Sequence, residues 1–133
     1  MSPRLLLALT PFLFTSVAHA AVDCANASDQ ATMNQCAGQE NKAADKELNT
    51  VYQQITARLK GEPSKKLLVS AQRAWIGFRD AECEFSASGV KGGSIYPMIY
   101  SSCVTRVTKD RTEALKQYLK CEEGDMSCPV PGA

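Results

Sequence analysis

The sequence predicts an all-α fold, a small three-helix antiparallel bundle stapled by disulfides, with irregular N- and C-terminal segments. Two observations carry this. Apolar residues recur at helical spacing in three long segments, and no β-type alternation competes with them. Six cysteines (Cys24, Cys36, Cys83, Cys103, Cys121 and Cys128) follow a leader-like N-terminus, the pattern of a small exported domain held by bridges.

Residues 1–20 read as a signal peptide. Arg4 supplies a positive start, Leu5 to Val17 (LLLALTPFLFTSV) is mostly apolar, and Ala18-His19-Ala20 fits the small-x-small cleavage rule. The apolar run is too short for a transmembrane span, which needs ~20 residues. Asp23 stands before Cys24, where a lipid-attachment signal requires a small residue, so no membrane anchor is expected. Cleavage near Ala20 leaves one domain, residues 21–133, with a core of about 24–119 and a tail of 120–133, free in the periplasm or secreted.

The first helix is expected from Ser28 to Leu59, with Met33, Cys36, Ala37, Ala44, Leu48, Val51, Tyr52, Ile55 and Leu59 at helical spacing. Ser28 or Asp29 can cap it, and Gly61 is placed as its stop. The second begins near Pro63 and carries Leu67, Leu68, Ala71, Trp75, Phe78 and Phe85 on one broad face. Residues 86–94 (SASGVKGGS) are small and glycine-rich and read as a loop. A third helix runs from Tyr96 or Pro97 to Leu119, with Ile99, Cys103, Val107, Ala114 and Tyr118 along one side. The tail from Cys121 is acidic, contains proline and reads as irregular.

The short first connection makes helices one and two antiparallel neighbours, and the third helix then runs parallel to the first. Cys36, Cys83 and Cys103 therefore gather at one end with Cys24, and Cys121 lies at the other with Cys128. The preferred pairing is Cys83–Cys103, Cys24–Cys36 and Cys121–Cys128; the competing pattern exchanges partners among the first four. A zinc site is the rival use of these cysteines, but the sequence has no C-x-x-C pair.

Charge and composition exclude several functions. Fifteen Lys and Arg face fourteen Asp and Glu, and Arg4 lies in the leader, so the mature domain is balanced and has no general attraction for nucleic acid. The single histidine, His19, is also in the leader. Its loss removes the usual catalytic base and the commonest metal ligand. No enzyme activity, metal or cofactor is expected.

MNQCA (33–37), ADKELN (44–49), Tyr52, AQRAWIGFRDAEC (71–83), GGS (92–94), Cys103 and the pair Thr108–Arg111 occur in order along the chain. This ordered set resembles the LprI-type lysozyme inhibitor family over about residues 24–119. The resemblance implies a helical, disulfide-bonded exported protein and inhibition of lysozyme, the enzyme that cuts peptidoglycan. Two departures stand out. Position 41, often aromatic in such sequences, is Asn41, and the lipid anchor of the namesake type is missing.

Asp45, Asn49, Arg79, Asp80, Thr108 and Arg111 lie on or beside the packing faces. We read them as a structural polar network pairing across the bundle, because buried charge persists only when paired and hydrogen-bonded. The competing reading, a carboxylate acid–base pair, suits poorly a site whose arginines would keep both carboxylates ionised. Trp75 reads as core rather than as a platform for a sugar ring. The binding candidate is the tip Lys91, Gly92, Gly93 and Ser94, where Lys91 would bring an ammonium to the carboxylates of a lysozyme cleft. The same glycines would also serve simply to turn the chain. Glu122, Glu123 and Asp125 form a second candidate surface for a basic partner. The alternative function is an envelope interaction or stress protein that shares the scaffold without inhibiting lysozyme.

Overall fold

The computed structural model describes residues 20–132; the leader expectation rests on residues that lie almost entirely outside that range. Three α-helices make up the domain: α1 Gln30–Arg58, α2 Glu62–Ser86 and α3 Tyr96–Tyr118. A single 3₁₀ turn, Ser88–Val90, lies inside the glycine-rich connection that the sequence marked only as loop.

Each boundary has a local cause. Asp29 caps α1: its Oδ1 accepts from the Thr32 backbone N–H at 2.9 Å and its Oδ2 from the Thr32 hydroxyl at 2.6 Å. Gly61 is not the α1 stop that was expected. The chain turns extended at Leu59, and Gly61, with φ −122°, is the N-cap residue of α2. Pro63 follows in the first turn, where a missing N–H costs nothing.

Side-chain bonds fix the helix directions. Asn34 Nδ2 donates to the Ser94 carbonyl at 2.9 Å near the start of α1 and α3, and Arg58 Nη1 donates to the Leu119 carbonyl at 2.8 Å near their ends. These two helices are therefore parallel. Arg111 Nε on α3 donates to Gln72 Oε1 on α2 at 3.1 Å, and Cys83 bridges to Cys103, so α2 runs antiparallel to α3. The three bridges are Cys24–Cys36, Cys83–Cys103 and Cys121–Cys128, with Cα separations of 5.6, 5.5 and 5.7 Å.

The packing differs from the expected neighbour pattern. The main interface is between α1 and α3, and α2 rests chiefly on α3 rather than on α1. One core cluster joins Leu48, Val51, Ile55 and Leu59 of the α1 side to Leu115, Cys121 and Val130. A second joins Cys83, Cys103, Val104 and Val107, and half-buried Trp75 packs against both. The tail is thus more than an irregular end: Val130 is buried, and the Cys121–Cys128 bridge folds the chain back over the core.

Two apolar assignments are corrected. On α2, Leu67, Phe78 and Phe85 do not share the packed face; they are 72%, 58% and 77% exposed. On α3, Ala114 and Tyr118 are exposed while Leu115, between them and the core, is fully buried. Both errors come from selecting among adjacent stripes that periodicity alone leaves equivalent.

Lys116 ties α3 to α1. Its Nζ lies 2.7 Å from Oε1 of Glu47 and 2.7 Å from Oε1 of Glu113. Hydrogen bonds to Glu113 and Glu47 push the Lys116 ammonium up to about 12, and the bond from Lys116 holds Glu47 below its usual 4.5. The Glu47 contribution is therefore present above pH 4.5 and is lost as the pH falls through the lower folded value. Lys116 contributes fully below 10.5 and loses its part as the pH rises from there through about 12. The pair is solvent-accessible, so the effect is modest. Glu47→Gln should lower the melting temperature at about pH 7 and by less at about pH 2, because the native carboxyl gains its proton as the pH falls below 4.5. An equal deficit at both values would remove the ion pair as the cause.

Candidate functional site

The loop between α2 and α3 is built as a rigid projection. Its base is clamped by the Cys83–Cys103 bridge, where Cys83 is completely buried. From there a ladder of short-range bonds carries the chain outward. Val90 N donates to Ala87 O at 3.1 Å, Lys91 N to Ser88 O at 3.2 Å, Gly93 N to Val90 O at 3.0 Å and Tyr96 N to Gly93 O at 3.1 Å. Gly92 has φ +82°, a conformation that glycine adopts without steric cost. Lys91, Gly92, Gly93 and Ser94 are all exposed, and the Ser94 carbonyl is held by Asn34. The four tip residues are therefore a displayed element with its backbone already ordered. Ordering before contact reduces the entropy lost on binding.

Below the tip, α3 carries Tyr96 and Tyr100 one turn apart, with ring centroids 5.9 Å apart in a stacked arrangement. Tyr100 reaches a shallow groove of ≈ 370 Å³ lined by Asn41, Lys42, Asp45, Arg79, Asp80 and Val104. Burial pushes the Tyr100 phenol above its usual 10, and the carboxylates of Asp80 and Glu84 push the same way. The phenol is therefore a hydrogen-bond donor at neutral pH, not a base.

The six polar candidates do not form one network. Arg79 pairs with its chain neighbour: Nε and Nη2 both lie 2.8 Å from Asp80 Oδ1. The Arg79 guanidinium carbon is 5.2 Å from the Trp75 ring centroid, so the cation lies over the indole face. Asp45 accepts from Asn49 Nδ2 at 3.3 Å on its own helix, and both are exposed. Arg111 reaches Gln72, a residue that the sequence reading did not single out. Thr108 is fully buried and its backbone carbonyl accepts from the Thr112 hydroxyl at 2.8 Å. Arg79, Asp80 and Asp45 thus share a groove, whereas Arg111 and Thr108 belong to the α2–α3 seam and the α3 interior. Long charged side chains meet whatever oxygen lies nearest, and helical spacing does not specify that partner. Tyr100 was missed as a groove residue, and the i, i+4 tyrosines were the available signal; Asn41, singled out in the sequence, lines the same groove as Asp45.

Among the described residues no group of three or more His, Cys, Asp or Glu could hold a metal ion, and no helix is long and apolar enough to cross a membrane.

The model of the family described as Lysozyme inhibitor LprI matches residues 23–115. This chain belongs to the LprI family. The LprI match takes in α1, α2, the clamped loop and nearly all of α3, and it ends before the Cys121–Cys128 bridge. An uncharacterized protein of Rhizobium meliloti (strain 1021) is 36% identical over 113 residues, covering 76% of this chain and 81% of its own. The crystal structure of a DUF1311 family protein from Pseudomonas putida KT2440 superposes with a TM-score of 0.62 at 23% identity. It covers 68% of this chain and 92% of its own. That likeness concerns the fold alone.

Proposed function

We propose that this LprI-family protein is an exported inhibitor that binds lysozyme and protects peptidoglycan, with no chemistry of its own. The observation that carries the reading is the family match across residues 23–115 of a bundle whose bridges suit an oxidising compartment, the periplasm or the medium. Residues 91–94 are the contact element of this reading. Lysozyme's cleft holds two catalytic carboxylates, and a narrow tip ending in an ammonium complements it in shape and charge.

The test is lysis of bacterial cell walls by several lysozyme types, titrated with the oxidised chain from residue 21 onward. Inhibition at near-stoichiometric amounts is expected. Lys91→Glu should weaken it at least about tenfold, since reversing one charge against a like-charged cleft costs several kcal/mol. Unchanged inhibition by that variant would take the tip out of the interface. If high salt abolishes inhibition instead, the exposed acidic tail, Glu122, Glu123 and Asp125, becomes the contact surface. A helical, oxidised protein that spares no lysozyme substrate would favour the envelope-interaction reading.

A further inference from the structure

The exposed apolar residues of α2 form one continuous stripe. Leu67, Ala71, Ala74, Phe78, Ala81 and Phe85 follow one another in alternating steps of four and three, and all six are exposed. That 3.5-residue average is the spacing of a helix–helix seam, and here it runs for about 27 Å along the helix. The neighbouring side of α2, through Leu68, Trp75 and Cys83, already meets the core. Leu67 and Ala71 edge a cavity shared with Leu59, Tyr118 and Val130, whereas Ala74, Phe78, Ala81 and Phe85 are left uncovered within the described chain.

The charges of α2 indicate the occupant. Its first half holds Lys65, Lys66 and Arg73 against Glu62, and its second Asp80, Glu82 and Glu84 against Arg79, so the halves carry opposite net charge. Cations near a helix N-terminus and anions near its C-terminus oppose the helix dipole, so this order does not favour the isolated helix. Among the described residues Lys66, Arg73, Glu82 and Glu84 form no ion pair. A second α2 laid antiparallel sets each basic half beside an acidic half, whereas a parallel one sets like against like.

We propose that two copies of this chain associate through antiparallel α2 helices. A two-fold axis near Ile76 places Leu67 opposite Phe85, Ala71 opposite Ala81 and Ala74 opposite Phe78 of the second copy. Each ring then meets a smaller side chain, and the alanines allow a close approach of the axes. Lys66 on the flank faces Glu84 of the second copy. Such a contact is self-complementary, as a two-fold interface must be. It does not depend on the inhibitor reading.

Sedimentation equilibrium of the oxidised chain from residue 21 onward decides it. The expected result is a monomer–dimer equilibrium between about 1 μM and 1 mM, the range for a small-area pair. Phe78→Glu should raise the dissociation constant at least tenfold with helicity unchanged, because Phe78 is exposed in the single copy. Lys66→Glu should weaken the dimer, and adding Glu84→Lys to it should restore the dimer. A chain that stays monomeric throughout that range would overturn the proposal. So would a dimer indifferent to Phe78→Glu, or a double exchange that does not restore pairing. A monomer in which Phe78→Glu abolishes binding to lysozyme would assign the stripe to that partner and overturn the dimer.

Discussion

Replacing Cys83 and Cys103 together by alanine should cost about 3 kcal/mol and release α2 from the bundle. The bridge closes a loop of 20 residues, and constraining a chain of that length stabilises a small domain by ~2–4 kcal/mol. Its position makes the loss local. Cys83 is the single fully enclosed side chain of α2, which otherwise rests on half-buried Leu68 and Trp75 and on the Gln72–Arg111 bond. Without the bridge, the second core cluster loses its centre and the 91–94 tip loses its clamp. Urea unfolding should show the lower midpoint, and hydrogen exchange should show protection lost first in α2 and the loop. The matched control is Cys24→Ala with Cys36→Ala. That bridge joins an exposed residue to a half-buried one, so its removal should leave α2 protected. Equal loss of protection in both variants would mean that the bridges act through the unfolded chain alone.

Leu115→Ala should cost ~3–5 kcal/mol, a large share of the ~5–15 kcal/mol that holds a domain together. Leu115 is wholly enclosed in the cluster with Leu48, Val51, Ile55 and Val130, contributed by α1 and by the tail. A cavity there has flat helix faces and a disulfide-tethered tail around it, which collapse poorly. Leu67→Ala, the same chemical change at a residue 72% exposed, should stay within about 0.5 kcal/mol for the single copy. Thermal melts at low protein concentration would compare the two. A similar loss in both would contradict the assignment of the core.

The contrast between these leucines marks where sequence reading succeeded and where it stopped. Helix existence and ends were legible because their causes are local: the Asp29 cap, Pro63 in the first turn and the glycines after Ser86. Which cysteines gather at each end was legible because short connections dictate which helix ends meet, whereas the choice of partner among Cys24, Cys36, Cys83 and Cys103 came from the tertiary structure. The groove was only half legible. Arg79, Asp80 and Asp45 were named, but the Arg79–Asp80 pairing, the Gln72 partner of Arg111 and the place of Tyr100 depend on which residues of different helices approach.

By itself, the sequence determined three helices, their order and direction, the six-cysteine framework, the exposed glycine tip and the family to which it all points. The tertiary structure alone decided the rotation of α2 about its axis. Two stripes compete on that helix, and the outward one, Leu67 to Phe85, is the more apolar by composition. The inward one, Leu68, Gln72, Trp75, Arg79 and Cys83, prevails because Cys83 must meet Cys103 on α3. Turning the outer stripe toward the core would carry Cys83 away from Cys103 and break that covalent bridge, so Leu67, Phe78 and Phe85 stay off the core.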